Sequence, residues 1–205
     1  MTLDPTALFN ITYGLYVLTA FDGQRDCGCI TNSIMQLTDT PLRIAVSLNK
    51  GNHTADAIRR DGRLNVSVLS EKAPFSIFTR FGFQSGRDVD KFAGSDEPFS
   101  ANGLRYLPEV SNTLVSARVE QEVDCGTHVL FICEVTQAEK LSADPSMTYS
   151  YYHANVKPKK KAEEKPKRGY VCRICGYFHE GEELPEDFIC PLCKHGAADF
   201  EPVGF

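Results

Sequence analysis

The sequence predicts two unlike folds in one chain, a mainly β barrel with short helices and a small metal-held domain behind it. Three observations lead there. From residue 13 to residue 140 the apolar residues recur in short β-branched and aromatic runs separated by Gly, Asp and Pro. Residues 157–168, KPKKKAEEKPKR, contain two prolines and no apolar side chain except Ala162, so they cannot build a core. Beyond them, Cys172 and Cys175 form one CxxC and Cys190 and Cys193 a second, with fourteen residues between the pairs. The chain therefore divides into a domain at 1–156, a flexible basic tether at 157–168 and a four-cysteine domain at 169–205.

Taken in order, Asp4 and Pro5 supply the cap and first turn of a short helix. Residues 13–21 and 28–34 are extended, and Asp22-Gly23 between them is a turn signal, which makes a hairpin. Pro41 ends the following loop, and residues 42–48 alternate through Ile44, Val46 and Leu48 with the period of a half-buried strand. Asn52 caps a helix that runs to Arg60. Residues 63–69 are a strand, 74–81 helical or irregular, and 82–94 mostly loop. Residues 112–123 and 127–140 are long β runs joined at Asp124-Cys125-Gly126, a second hairpin.

The net charge is −5 over 205 residues, and it is unevenly spread. The tether carries seven Lys or Arg against two Glu, whereas residues 170–205 carry seven acids against Arg173 and Lys194. The composition as a whole has no surplus of basic residues to suggest nucleic acid, the charge of the tail repels it, and no apolar run is long enough to span a membrane. The first residues lack the charged start and apolar core of a leader, so the expected compartment is the cytoplasm, where cysteines serve metals rather than disulfides. Cys27, Cys29, Cys125 and Cys133 are expected as unpaired small hydrophobes, and His128, His179 and His195 as surface residues. His153 lies beside Tyr151 and Tyr152 and carries no assigned role.

Four thiolates present a soft tetrahedral donor set that suits zinc or a single iron and excludes magnesium and calcium. Spacing alone leaves a zinc ribbon and an iron centre both open. Tyr170, Tyr177, Phe178, Phe188 and Phe200 surround the knuckles, and Gly176 and Pro191 follow cysteines where backbone curls toward sulfur. From Tyr170 to Val203 the tail resembles rubredoxin: the YxCxxCGY opening, the acidic middle, CPxC and DFEPV stand in that family's order. It departs in a shortened middle, in Phe188 where a tryptophan is usual, and in Lys194 where a glycine is usual. The resemblance implies one iron per chain, held by Cys172, Cys175, Cys190 and Cys193.

Three stretches of the larger domain carry polar groups that could grip a ligand. Thr31-Asn32-Ser33 and Gln36 stand at the end of a strand and could hold the edge of a planar polar ring. In SLNKGNHT, Ser47, Lys50, Asn52, His53 and Thr54 gather where a strand ends and a helix begins, an anion-binding geometry. In SGRDVDKF, Ser85, Gly86, Arg87 and Lys91 add a glycine turn and two cations. Together, and in this order, these motifs resemble the flavin reductase family, whose fold is the FMN-binding split barrel. That resemblance implies noncovalent FMN at these thirteen residues, a homodimer, and hydride transfer from NADH or NADPH. It implies no catalytic acid or base, because the cofactor carries the chemistry. No GxGxxG motif is present, which fits a family that resembles no Rossmann protein.

Reductase, tether and tail in that order resemble the high-molecular-weight rubredoxin family, which implies a flavodiiron protein as electron acceptor and removal of nitric oxide or oxygen. Two other readings stay open at this point. One is a plain flavin reductase supplying reduced FMN to a monooxygenase, with the tail a structural zinc ribbon. The other is a flavin-storage or redox-sensing protein without turnover.

Overall fold

The computed structural model describes residues 4–158 and 168–204. The chain divides into two compact units, 1–157 and 158–205. The expected tether falls almost wholly on residues 159–167, outside the described residues.

The first unit is built on one antiparallel sheet. Its strands are β1 (Tyr16–Phe21), β2 (Asp26–Thr31), β3 (Ile34–Asp39), β4 (Leu42–Asn49), β5 (Arg63–Leu69), β6 (Ser111–Cys125) and β7 (His128–Lys140). They lie in the order β2-β1-β5-β6-β7-β4-β3, so the two edge strands are consecutive in sequence. This is the mainly β split barrel that the motifs imply. The sheet curls around Leu18, Val46, Ile58, Leu64, Val66, Val129 and Phe131, all buried. Burial of such side chains contributes about 1.5–3 kcal/mol each.

Helix α1 (His53–Asp61) starts where the sequence places it. The Asn52 side chain accepts from the Thr54 amide, and the helix ends at Gly62, which takes φ +76. Helix α2 (Phe75–Gly82) packs Phe78 and Phe81 into a second cluster with Leu15, Leu69, Phe92 and Met147. Gly28 on β2 is needed there: a Cβ at that position would stand 2.7 Å from the Leu18 carbonyl oxygen and 3.2 Å from the Phe81 ring. A short helix α3 (Tyr149–Tyr151) continues into a wide π turn over Tyr152–Val156.

Four expectations are corrected here. Residues 35–39, read as loop, form β3, an edge strand whose short alternation through Met35 and Leu37 stays exposed and runs straight into Thr38, Asp39 and the turn before Pro41. The second hairpin turns at Gly126-Thr127, because Cys125 still pairs with His128. The first helix is a 3₁₀ helix over Pro5–Asn10, although Asp4 caps it as expected by accepting from Thr6 N. Cys125 is exposed, whereas Cys27, Cys29 and Cys133 are buried as small hydrophobes should be.

The second unit has strands β8 (Gly169–Cys172), β9 (Phe178–Glu180) and β10 (Phe200–Val203), in the order β10-β8-β9. Phe188 seals it, with its ring centroid 4.5 Å from His179 and 5.3 Å from Phe200. His179, expected at the surface, is half-buried by that contact.

Candidate functional sites

The four sulfurs of the tail close on one point. Cys172 Sγ lies 3.5 Å from Cys193 Sγ, and Cys175 Sγ 3.5 Å from Cys190 Sγ. All four ligand atoms lie within 4.8 Å of one another. The cause is a knuckle made twice. Gly176 N donates to Cys172 O at 2.8 Å and Cys172 N to Tyr177 O at 2.8 Å. In the second copy Lys194 N donates to Cys190 O at 2.9 Å and Cys190 N to His195 O at 2.8 Å. Amides also turn toward sulfur: those of Leu192 and Cys193 onto Cys190, that of Tyr177 onto Cys175 and that of His195 onto Cys193. Cys172 and Cys190 are fully buried, while Cys175 and Cys193 are half-buried. Four convergent thiols with amide donors and no oxygen ligand fit a tetrathiolate iron.

In the first unit hydrogen bonds and close packing link the three polar stretches. Thr31 Oγ1 donates to Ser47 O at 3.3 Å, and Ser47 N donates to Ser33 O at 2.9 Å, which ties the first stretch to the second. Asn32 and Ser33 are half-buried there, with Ser33 Oγ 3.0 Å from Asn32 Oδ1. Gln36 lies further out on β3, exposed, with Nε2 3.4 Å from Thr38 O. Thr54 is buried beneath the start of α1. The third stretch folds back onto the second: Arg87 donates to Gly51 O at 2.9 Å and to Asp56 Oδ2 at 2.7 Å. Ser85 Oγ accepts from Arg87 N at 3.2 Å. Gly86 sits so close to His53 that a Cβ would stand 2.9 Å from the imidazole.

Two cations are differently employed from what the sequence suggests. Lys50 Nζ forms an ion pair with Asp124 Oδ1 at 2.6 Å on the exterior of the second hairpin. Lys91 is buried, and its ammonium donates to Gly28 O at 2.9 Å and Phe81 O at 3.0 Å. Burial pushes that ammonium below the ordinary lysine value, against the raising effect of Cys29 and Cys27. Lys91 thus joins the end of α2 to the free edge of β2, and the exposed loop beside His53 is left to Ser85, Gly86 and Arg87.

Residues 8–160 match the family model described as "Flavin reductase like domain". The chain belongs to the flavin reductase-like family. Its tail, residues 170–201, matches the model "Rubrerythrin, rubredoxin-like domain". The chain is 38% identical to a "High molecular weight rubredoxin" of Moorella thermoacetica across 98% of this chain and 100% of that one. It is also 38% identical to a "Ferric-chelate reductase (NAD(P)H)" of Archaeoglobus fulgidus, across 77% of this chain and 93% of that one. Among solved structures, an NADH:FAD oxidoreductase of Streptomyces globisporus C-1027 superposes with a TM-score of 0.64 at 19% identity, covering 74% of this chain and 93% of that one, a likeness of fold. As a flavin reductase-like protein with a rubredoxin-like tail, the chain is an oxidoreductase that takes FMN in its first domain and one iron in its second.

Sequence reasoning missed one residue beside the flavin reductase-like polar cluster. Asp22 is buried at the β1–β2 turn, with Oδ2 3.0 Å from His53 Nε2, and Oδ1 accepts from Gln24 N at 2.9 Å and Arg25 N at 3.0 Å. Burial alone would raise this carboxyl. The two amides and the His53 ring outweigh it and hold the group below the ordinary carboxylate value. The Asp22-Gly23 pair reads in sequence as a turn and nothing more, because Asp at a turn needs no other explanation.

Proposed function

We propose that the chain passes electrons from NADH or NADPH through FMN to the tail iron, and from there to an acceptor protein such as a flavodiiron protein that removes nitric oxide or oxygen. The observation that carries this reading is a complete four-thiol metal cage in the same chain as a flavin reductase-like domain. Similarity over nearly the whole length to a high-molecular-weight rubredoxin supports it. Bound flavin takes up a hydride's two electrons and releases them singly, and bound iron carries one electron at a time.

The chain's own residues then bind and orient. Thr31, Asn32, Ser33, Gln36 and Ser47 hold the flavin ring along its polar edge. Lys50, Asn52, His53, Thr54, Ser85, Gly86 and Arg87 surround the phosphate, with Lys91 propping the loop from inside. The first-turn amide of α1, that of His53, is not taken by the Asn52 cap and suits an anion. In the tail, Ile174, Ile189 and Leu192 are exposed beside half-buried Cys175 and Cys193. Seven acids accompany them, so the acceptor is expected to present an apolar patch with a basic rim.

Met35 and Leu37 are exposed on the edge strand β3, and Leu42 beside them on β4. An exposed apolar edge of this kind is suited to pairing with a second copy, which supports a homodimer. Among the described residues no helix is long and apolar enough to cross a membrane, and the proposed compartment is the cytoplasm.

An anaerobic visible spectrum followed by titration with NADH and NADPH tests the proposal. Ferric tetrathiolate absorption beside flavin bands, both bleaching with one nucleotide, is the expected result. Flavin bleaching alone, with zinc in the tail by metal analysis, would reassign the chain as a reductase that releases reduced FMN.

A further inference from the structure

We infer that Asp22 is a positioning residue that sets the phosphate selectivity of the flavin site, acting through His53 and Arg25 without touching the ligand. The inference rests on the proposed placement of the FMN phosphate between the start of α1 and the loop at 85–87. Three elements converge on Asp22. From α1, His53 Nε2 meets Asp22 Oδ2 at 3.0 Å, and the Arg60 guanidinium donates to the Asp22 carbonyl. From its own turn, the Arg25 amide donates to Oδ1 at 3.0 Å while the Arg25 guanidinium reaches across to Gly86 O at 2.9 Å. From the loop, Gly86 packs against the His53 ring that Asp22 holds, so tightly that a Cβ would lie 2.9 Å from it.

One carboxylate therefore fixes both walls of the proposed phosphate site. It holds the imidazole of His53, the first residue of α1, and it fixes the backbone of the arginine whose side chain clamps the loop by its Gly86 carbonyl. The other charged groups nearby have partners of their own: Arg87 pairs with Asp56, Arg59 with Asp56 and Glu122, and Lys50 with Asp124. Release of Asp22 frees His53 and Arg25 together, and the loop loses its register against the helix start. A phosphate senses that change in full, because several donors must converge on one small anion, whereas the proposed ring site at Thr31, Asn32 and Ser33 stands at the other end of β2 from the Asp22 turn.

The test compares FMN with riboflavin, which lacks the phosphate, binding to the iron-loaded full chain by flavin fluorescence quenching. In the unaltered protein FMN is expected to bind much more tightly than riboflavin. Asp22→Ala should weaken FMN by about tenfold to a hundredfold, the scale of a mispositioned donor set, while riboflavin affinity stays within about twofold. Arg25→Ala, on a side chain that is partly exposed, removes only the clamp on Gly86 and should weaken FMN by about threefold to tenfold with riboflavin again unchanged. It supplies the measurement if Asp22→Ala does not fold. Equal loss of both ligands, or no loss of FMN in either variant, would overturn the inference. Equal binding of FMN and riboflavin by the unaltered protein would instead bring down the phosphate placement on which it rests.

Discussion

Lys194 occupies in the second metal knuckle the place that Gly176 occupies in the first. Both residues have positive φ, +63 and +77, and each donates its amide to the carbonyl of the cysteine four positions earlier. A side chain in the left-handed region costs about 1–2 kcal/mol, which a glycine avoids at the expense of about 0.4–1 kcal/mol of extra chain entropy. Lys194→Gly should therefore stabilise the tail by about 0.5–1 kcal/mol, read as a higher denaturant midpoint for loss of the iron absorption. A lower midpoint would mean that the lysine makes an offsetting contact.

Cys190 is fully buried among the ligands. Cys190→Ser should abolish the ferric tetrathiolate spectrum and stop nucleotide-driven reduction of the tail, with FMN still bound at the same stoichiometry. Loss of FMN in this variant would contradict the placement of flavin in the first unit alone.

The burial of Lys91 makes it a structural brace. Lys91→Met leaves the carbonyls of Gly28 and Phe81 without their donor and should destabilise the first domain by about 1–3 kcal/mol. FMN affinity of the folded variant should change by no more than about twofold, within the scatter of an indirect effect. A large selective loss of FMN with unchanged thermal stability would return Lys91 to the phosphate site.

Lys50 and Asp124 form an exposed pair, so a phosphate must compete with a carboxylate for that ammonium. Lys50→Ala should weaken FMN by about threefold to tenfold, and Asp124→Asn should leave affinity unchanged or tighten it. Calorimetric titration with FMN distinguishes the two variants; unaltered affinity in Lys50→Ala would remove this residue from the site.

The Asp22 carboxyl is held below its ordinary value of 3.8, so its ionised form favours the folded state. Its contribution is complete above that value and is lost as pH falls through the lower folded-state value. The stability difference between the unaltered protein and Asp22→Asn should thus be largest near neutrality and shrink from about pH 4 downward. A difference that stays constant into acid would show that the carboxylate's charge plays no part.

What could be read from the sequence follows from which constraints are local. The cysteine cage was legible because two CxxC turns prescribe their own geometry, and β5 because alternation between turn signals leaves few other foldings for Arg63–Leu69. β3 was not, since an edge strand exposed from Met35 to Asp39 carries Gln36, Thr38 and Asp39 as a loop would. The direction of Lys91 was hidden for a different reason. The carbonyls that capture it belong to Gly28 and Phe81, 63 and 10 positions away, and nothing in SGRDVDKF announces them. Asp22 shows the same limit: its partner His53 is 31 positions away.

The uneven cover of the four sulfurs has a consequence for the energetics of electron arrival. An iron held by four thiolates would gain negative charge on reduction, and solvent would reach it beside the half-buried Cys175 and Cys193 rather than at the buried Cys172 and Cys190. At Cys190 the amides of Leu192 and Cys193 are already turned onto the sulfur, and those of Tyr177 and His195 do the same for Cys175 and Cys193. The potential of an iron held there would thus be open to adjustment from the rim formed by Ile174, Ile189 and Leu192, where a change of side chain alters hydration without replacing a ligand.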